Sequence, residues 1–177
     1  PLMSLSQEPS IVRLPDERLF CVMRTNTSYI WYSVSDDDGR TWSNSRPLLR
    51  KDHGKPILQP VSPCPIYQLS DGRYVLLHHN QKANRKVNAG IPRHPAYLAL
   101  GEFRPGADQP VWFSRSKEFL DNDGINVKGE KDDFAGMATY TSFTTKNGKD
   151  ILWYPDRKCF LLGKEITNAF LKDLHVP

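Results

Sequence analysis

A chain of 177 residues with 38% hydrophobic and 25% charged side chains carries enough apolar surface for a sizeable core, which excludes a disordered or linker class. Its 24 basic and 20 acidic residues leave a formal net charge of +4 with no basic run or Arg/Lys stripe, so no nucleic-acid partner is expected. No stretch approaches the ~18 apolar residues of a membrane-spanning helix. Cys21, Cys64 and Cys159 form no Cys-x-x-Cys pair that would announce a zinc site, and a disulfide between two of them stays open.

Along the chain one arrangement recurs three times: an apolar run, a short polar turn, a second apolar run. The first spans 10–14 and 19–24 around Pro15-Asp16-Glu17-Arg18, with Glu8 at the mouth of its first strand and Arg24 closing its second. A third strand follows at 29–34, ending in the turn Ser35-Asp36-Asp37-Asp38-Gly39-Arg40-Thr41-Trp42. There Gly39 suits a positive φ, Ser35, Asp37 and Thr41 can bond backbone groups, and Trp42 is expected to bury on the order of 200 Å² against the sheet.

The second hairpin joins 65–69 to 74–78 through Ser70-Asp71-Gly72-Arg73. After a basic loop at 80–92 that holds Arg85, Arg93 precedes an outer strand at 96–100, and a further strand is expected at 111–113. Between these last two the turn 101–110 lacks the Ser, Thr and Trp of the earlier one. The third hairpin joins 139–143 to 151–154 around Asn147-Gly148, with an outer strand at 159–162 and a short C-terminal helix at 167–175, Thr167 serving as N-cap. His78 and His79 are neighbours in a strand and point to opposite faces, which does not suit one metal ion. Asp121-Asn122-Asp123-Gly124 is half a calcium loop without its terminal bidentate Glu. No metal or cofactor is expected.

Ser35, Asp37, Gly39, Thr41 and Trp42 form the pattern Ser-x-Asp-x-Gly-x-Thr-Trp, which resembles the Asp-box, or bacterial neuraminidase repeat, of sialidase-type proteins. The resemblance implies an all-β, sialidase-like six-bladed β-propeller, with the Asp-box between the third and fourth strands of a blade. At roughly 40 to 50 residues per blade, 177 residues cover about three, so the chain is expected to be a single partial propeller domain over 1–177. Its blades would run at about 8–60, 61–130 and 131–166, with missing N-terminal blades or another chain completing the ring.

Glu8-Pro9-Ser10-Ile11-Val12-Arg13-Leu14 followed by Arg24 resembles the family segment carrying a catalytic glutamate and the second arginine of a substrate-binding triad. Thr139-Tyr140-Thr141-Ser142-Phe143-Thr144 resembles its tyrosine segment. The implied roles are Tyr140 as nucleophile, Glu8 as its base, and Arg24 with Arg93, or Arg85 in its place, as the clamp on a substrate carboxylate. Each of these four also has an ordinary reading as a strand, loop or ion-pair residue. The family's first arginine and its aspartate acid/base match nothing here, so the chain alone is expected not to turn over substrate. The implied partner is an acidic glycan such as a sialoglycoconjugate, and the resemblance favours a secreted or periplasmic location that the residues themselves leave open. Another acidic-glycan hydrolase or lyase on the same fold, or a non-catalytic Asp-box propeller that binds glycan or protein, remain alternatives.

Overall fold

The computed structural model describes residues 6–82, 93–121, 140–156 and 160–177. Those residues form three separate antiparallel sheets and one helical turn. Sheet one is a meander of β1 (Gln7–Arg13), β2 (Leu19–Arg24), β3 (Trp31–Ser35) and β4 (Arg46–Pro47). Sheet two runs β5 (Ile66–Gln68), β6 (Tyr74–His78), β7 (Ala96–Phe103), β8 (Val111–Phe113), with β9 (Lys117–Leu120) also on β7. Sheet three is β10 (Ser142–Lys146), β11 (Lys149–Asp156) and β12 (Phe160–Glu165). The short helix α1 (Asn168–Leu171) follows, its first turn capped by the Thr167 side chain, which accepts from the Phe170 N–H.

Sheet two lies in the middle, and the two-residue period of β6 says why. Every residue from Tyr74 to His78 is buried, so the strand reads as a continuous apolar run and not as an alternation. Tyr74 and Leu76 join Val12, Phe20, Val22 and Tyr32 of sheet one in one core, whereas Val75 and Leu77 join Leu152, Ile166, Leu171 and Leu174 in a second. The C-terminal turn thereby closes the far core.

The turns are set by local chemistry. In the first hairpin Leu14 N–H bonds the Arg18 carbonyl at 2.8 Å, and Glu17 takes a left-handed φ of 70°. Gly72 and Gly148 take φ of 86° and 73° in the other two, where a Cβ would be strained. Buried polar side chains then stitch the sheets together. Asp150 on β11 accepts from Ser70 N–H at 3.0 Å, from Ser70 Oγ at 2.8 Å and from Thr145 Oγ1 at 2.6 Å, joining the turn of sheet two to sheet three.

Several sequence expectations are revised: the third hairpin opens with a strand at Ser142–Lys146 instead of 139–143, and the helix expected over 167–175 is the single turn Asn168–Leu171. The third strand begins at Trp31, because Ser28 turns the chain at φ 74° and Tyr29 makes only an isolated bridge to Leu58. Trp42 is 38% exposed and is not an anchor under the sheet. Its indole folds back over its own turn, with Nε1 donating to the Gly39 carbonyl at 3.1 Å, so the motif closes on itself. Cys21 and Cys64 are both buried free thiols, and Cys159 lies outside the described residues.

Candidate active site

Glu8 owes its position to an irregularity at the start of β1. The pairing with β2 slips by one residue between Gln7 and Ser10, leaving Glu8 and Pro9 in a bulge where proline has no N–H to leave unpaired. Glu8 itself takes φ 54°, a conformation uncommon for a non-glycine residue. The bulge turns its carboxylate toward Arg24, whose Nε lies 2.6 Å from Glu8 Oε2. This contact is a close ion pair off the hydrogen-bond axis, between side chains only 15% and 26% exposed. Arg24 also donates from Nη2 to Gln7 Oε1 at 2.6 Å. The partner that an arginine closing an apolar run requires is therefore Glu8, with Gln7 beside it.

Tyr140 approaches from sheet three. Its φ of 62° places a second non-glycine residue in the left-handed region, and the residue is 68% exposed. The phenol donates from Oη to Glu8 Oε1 at 3.4 Å, across a sequence separation of 132 residues. Glu8 thus faces Arg24 with one oxygen and Tyr140 with the other. Both residues line an open cavity of about 220 Å³, whose other walls include Ser10, Cys64, Tyr67 and Thr141. Burial, with the Glu8 carboxylate adding to it, pushes the Cys64 thiol well above its ordinary range, so this cysteine is an inert wall and not a nucleophile.

Of the arginines expected to form a clamp, Arg24 stands beside Glu8 and Arg93 does not. Arg93 is half-buried and donates to the Val61 carbonyl at 3.1 Å, two residues from Pro63 in the cavity wall. Among the described residues no ion pair with a carboxylate and no hydrogen bond to Glu8, Arg24 or Tyr140 is found for it, and it is not among the residues lining the cavity. Arg85 lies outside the described residues.

The Asp-box residues sit elsewhere. Ser35 Oγ accepts from Gly39 N–H at 2.8 Å, while Asp37 accepts from Thr41 N–H at 2.8 Å and from Thr41 Oγ1 at 2.7 Å. The Thr41 hydrogen bonds, first from its backbone and then from its side chain, hold the Asp37 carboxyl below its usual range. His78 is fully buried, with ring nitrogens against the Leu58 carbonyl at 3.1 Å and Ser116 Oγ at 2.7 Å, and burial pulls its pKa down to about 3. It is a neutral structural group. No cluster of three or more His, Cys, Asp or Glu side chains suited to a metal occurs among the described residues.

Sequence reasoning missed Gln7, Ser10 and Tyr67. The signal for Tyr67 was a phenol in a strand otherwise headed for a core, since a buried tyrosine hydroxyl needs a polar partner.

Residues 3–147 match the model of the BNR repeat-like domain. Among solved structures, a leech intramolecular trans-sialidase complexed with 2,7-anhydro-Neu5Ac superposes with a TM-score of 0.66 at 20% identity, over 94% of this chain and 24% of that one. An intramolecular trans-sialidase from Ruminococcus gnavus gives 0.56 at 21% identity, over 96% and 34%. A mutant form of the NanB sialidase from Streptococcus pneumoniae gives 0.58 at 20%, over 86% and 20%. At such identities the likeness is one of fold. The chain spans between 20% and 34% of the length of these structures. No curated protein matches it significantly.

Proposed function

The chain belongs to the BNR repeat-like domain family, and from that premise we propose that it forms part of a sialidase-like β-propeller acting on acidic glycans. Its three sheets would be three consecutive blades, with preceding blades or another chain closing the ring. The complete protein would be an exo-acting glycoside hydrolase that releases terminal sialic acid.

One observation carries this reading: Tyr140 Oη stands 3.4 Å from Glu8 Oε1 on the wall of a cavity, with both residues held in left-handed backbone conformations. A phenol with a pKa near 10 is protonated and weakly nucleophilic at neutral pH (about 10 in model peptides). As Oη attacks the anomeric carbon, Glu8 takes its proton and the bond to the aglycone oxygen breaks. The departing oxygen receives a proton from an acid outside this chain. Water then attacks the glycosyl-tyrosine, the same groups running in reverse to return Tyr140 and Glu8 to their starting states.

A neutral nucleophile suits a substrate with a carboxylate on the attacked carbon, because a carboxylate nucleophile would be repelled by it. Arg24 orients the base by holding Oε2, and with Arg93, or Arg85 in its place, would present guanidinium donors to the substrate carboxylate. In the complete polypeptide, Tyr140→Phe should slow sialic acid release from a sialyllactose on the order of 10³-fold or more while leaving glycan binding intact. Unchanged release would reject the assignment.

A further inference from the structure

Glu8 lies on β1 and Tyr140 two residues before β10, and neither side chain fixes the gap between them. Tyr140 is 68% exposed, and its phenol reaches Glu8 itself, at 3.4 Å. Something else must set this distance.

Two hydroxyls do so. Ser10, two residues after Glu8, donates from Oγ to the Ile66 carbonyl at 3.2 Å and accepts from Ile66 N–H at 3.1 Å, which locks β1 onto β5. The next residue of β5 is Tyr67. Its Oη donates to the Thr141 carbonyl at 2.8 Å and lies 2.7 Å from Thr141 Oγ1. One phenol proton serves the carbonyl, and the Thr141 hydroxyl returns its own to the phenol oxygen, so both groups are satisfied. The Tyr67 ring stacks on Phe143 with centroids 5.2 Å apart and planes 13° from parallel. The fastening therefore grips the chain at Thr141 and Phe143, on the residues that immediately follow Tyr140.

We infer that Tyr67 is a positioning residue for the Tyr140–Glu8 couple, its hydroxyl holding the Tyr140–Thr141 backbone at a set distance from the β1 bulge through Ser10 and Ile66. This rests on the reading of Tyr140 as nucleophile. A left-handed backbone at a non-glycine residue persists only when its surroundings impose it, and the Tyr67–Thr141 bonds act one residue away. Burial raises the Tyr67 pKa against the opposing Thr141 bond, which keeps the phenol protonated as a donor across the working range. Tyr67 acts through Tyr140 and takes no part in bond making.

The test is Tyr67→Phe in the complete polypeptide, which keeps the ring and its stack and deletes both hydrogen bonds. A misplacement of about 1 Å lowers kcat by roughly 10- to 100-fold, and KM should stay within about twofold because the carboxylate clamp is untouched. Tyr67→Phe combined with Tyr140→Phe should be no slower than Tyr140→Phe alone. Thr141→Val, which removes the hydroxyl and keeps the carbonyl and the β-branch, should give a smaller fall in kcat with the same KM. Wild-type kcat in both Tyr67→Phe and Thr141→Val, beside an inactive Tyr140→Phe, would overturn the inference and leave the nucleophile standing. A fall in kcat matched by an equal fall in folded fraction would also overturn it. An active Tyr140→Phe would instead overturn the reading on which it rests.

Discussion

The Asp-box turn and the Glu8–Tyr140 corner are both polar clusters at strand ends, and they are built in opposite ways. Within the turn from Ser35 to Trp42 the side chains of Ser35, Asp37, Thr41 and Trp42 find partners inside the same eight residues, and the left-handed positions fall on Gly39 and its neighbour Asp38. The corner draws on the first strands of two sheets and the loop before a third. It places left-handed backbone on a glutamate and a tyrosine and leaves the phenol at 3.4 Å from its acceptor. The first cluster is bonded mostly within itself, with one tie from Asp38 to Arg13; the second is open toward a cavity and depends on its neighbours. They also lie at opposite ends of β1, since Arg13 reaches Asp38 at 3.0 Å from the end remote from Glu8. At about 3.3 Å per residue, that separates them by roughly 15 Å. A saturated turn serves stability, and a strained, incompletely bonded one serves chemistry.

Substitutions should divide along the same line. The largest effect is expected from Tyr140→Phe in the complete protein, with kcat falling on the order of 10³-fold or more and thermal stability unchanged. Steady-state release of sialic acid and a melting curve measure both. Glu8→Gln should follow at about 10²- to 10⁴-fold, the range of a lost general base, with KM little altered. Arg24→Ala belongs to both sides of the comparison. It strips a largely buried carboxylate of its counter-ion, at a cost of about 1–3 kcal/mol in chemical denaturation once partial exposure is allowed for, and it raises KM.

Asp37→Ala should have the smallest kinetic effect and be purely structural, with a lower Tm and unaltered kcat. Because the folded-state pKa of Asp37 is depressed, its contribution is complete above the unfolded value near 3.9 and is lost as pH falls through the lower folded value. The Tm gap between wild type and Asp37→Ala should therefore be constant near neutrality and narrow below about pH 4. A kcat loss in Asp37→Ala as large as in Glu8→Gln would break the comparison.

What the residues made legible was local. Ser35, Asp37, Gly39 and Thr41 bond within their own turn, so their spacing is enough to foresee the motif between β3 and β4. The hairpins at Pro15-Asp16 and Asp71-Gly72 were equally readable, since turn chemistry sits between alternating apolar runs. Trp42 was misjudged because the pattern brings an indole to the turn without saying which surface it covers. Tyr67 was overlooked because its role depends on Thr141, a partner 74 residues away that only the neighbouring of sheets two and three supplies. The Glu8–Tyr140 approach was foreseen through resemblance to a family, and no spacing rule would have set it. The choice between Arg93 and Arg85 turns on a loop whose course no periodicity governs.

The central claim is that Tyr140 Oη attacks the anomeric carbon. Its most direct test is to incubate the complete protein with a sialosyl fluoride carrying a second fluorine beside the anomeric carbon, which slows breakdown of a glycosyl-enzyme, and to map the added mass by peptide mass spectrometry. The account predicts one adduct per chain on the peptide bearing Tyr140, absent in Tyr140→Phe. An adduct on a carboxylate residue, or steady turnover of substrate with no adduct at Tyr140, would contradict it.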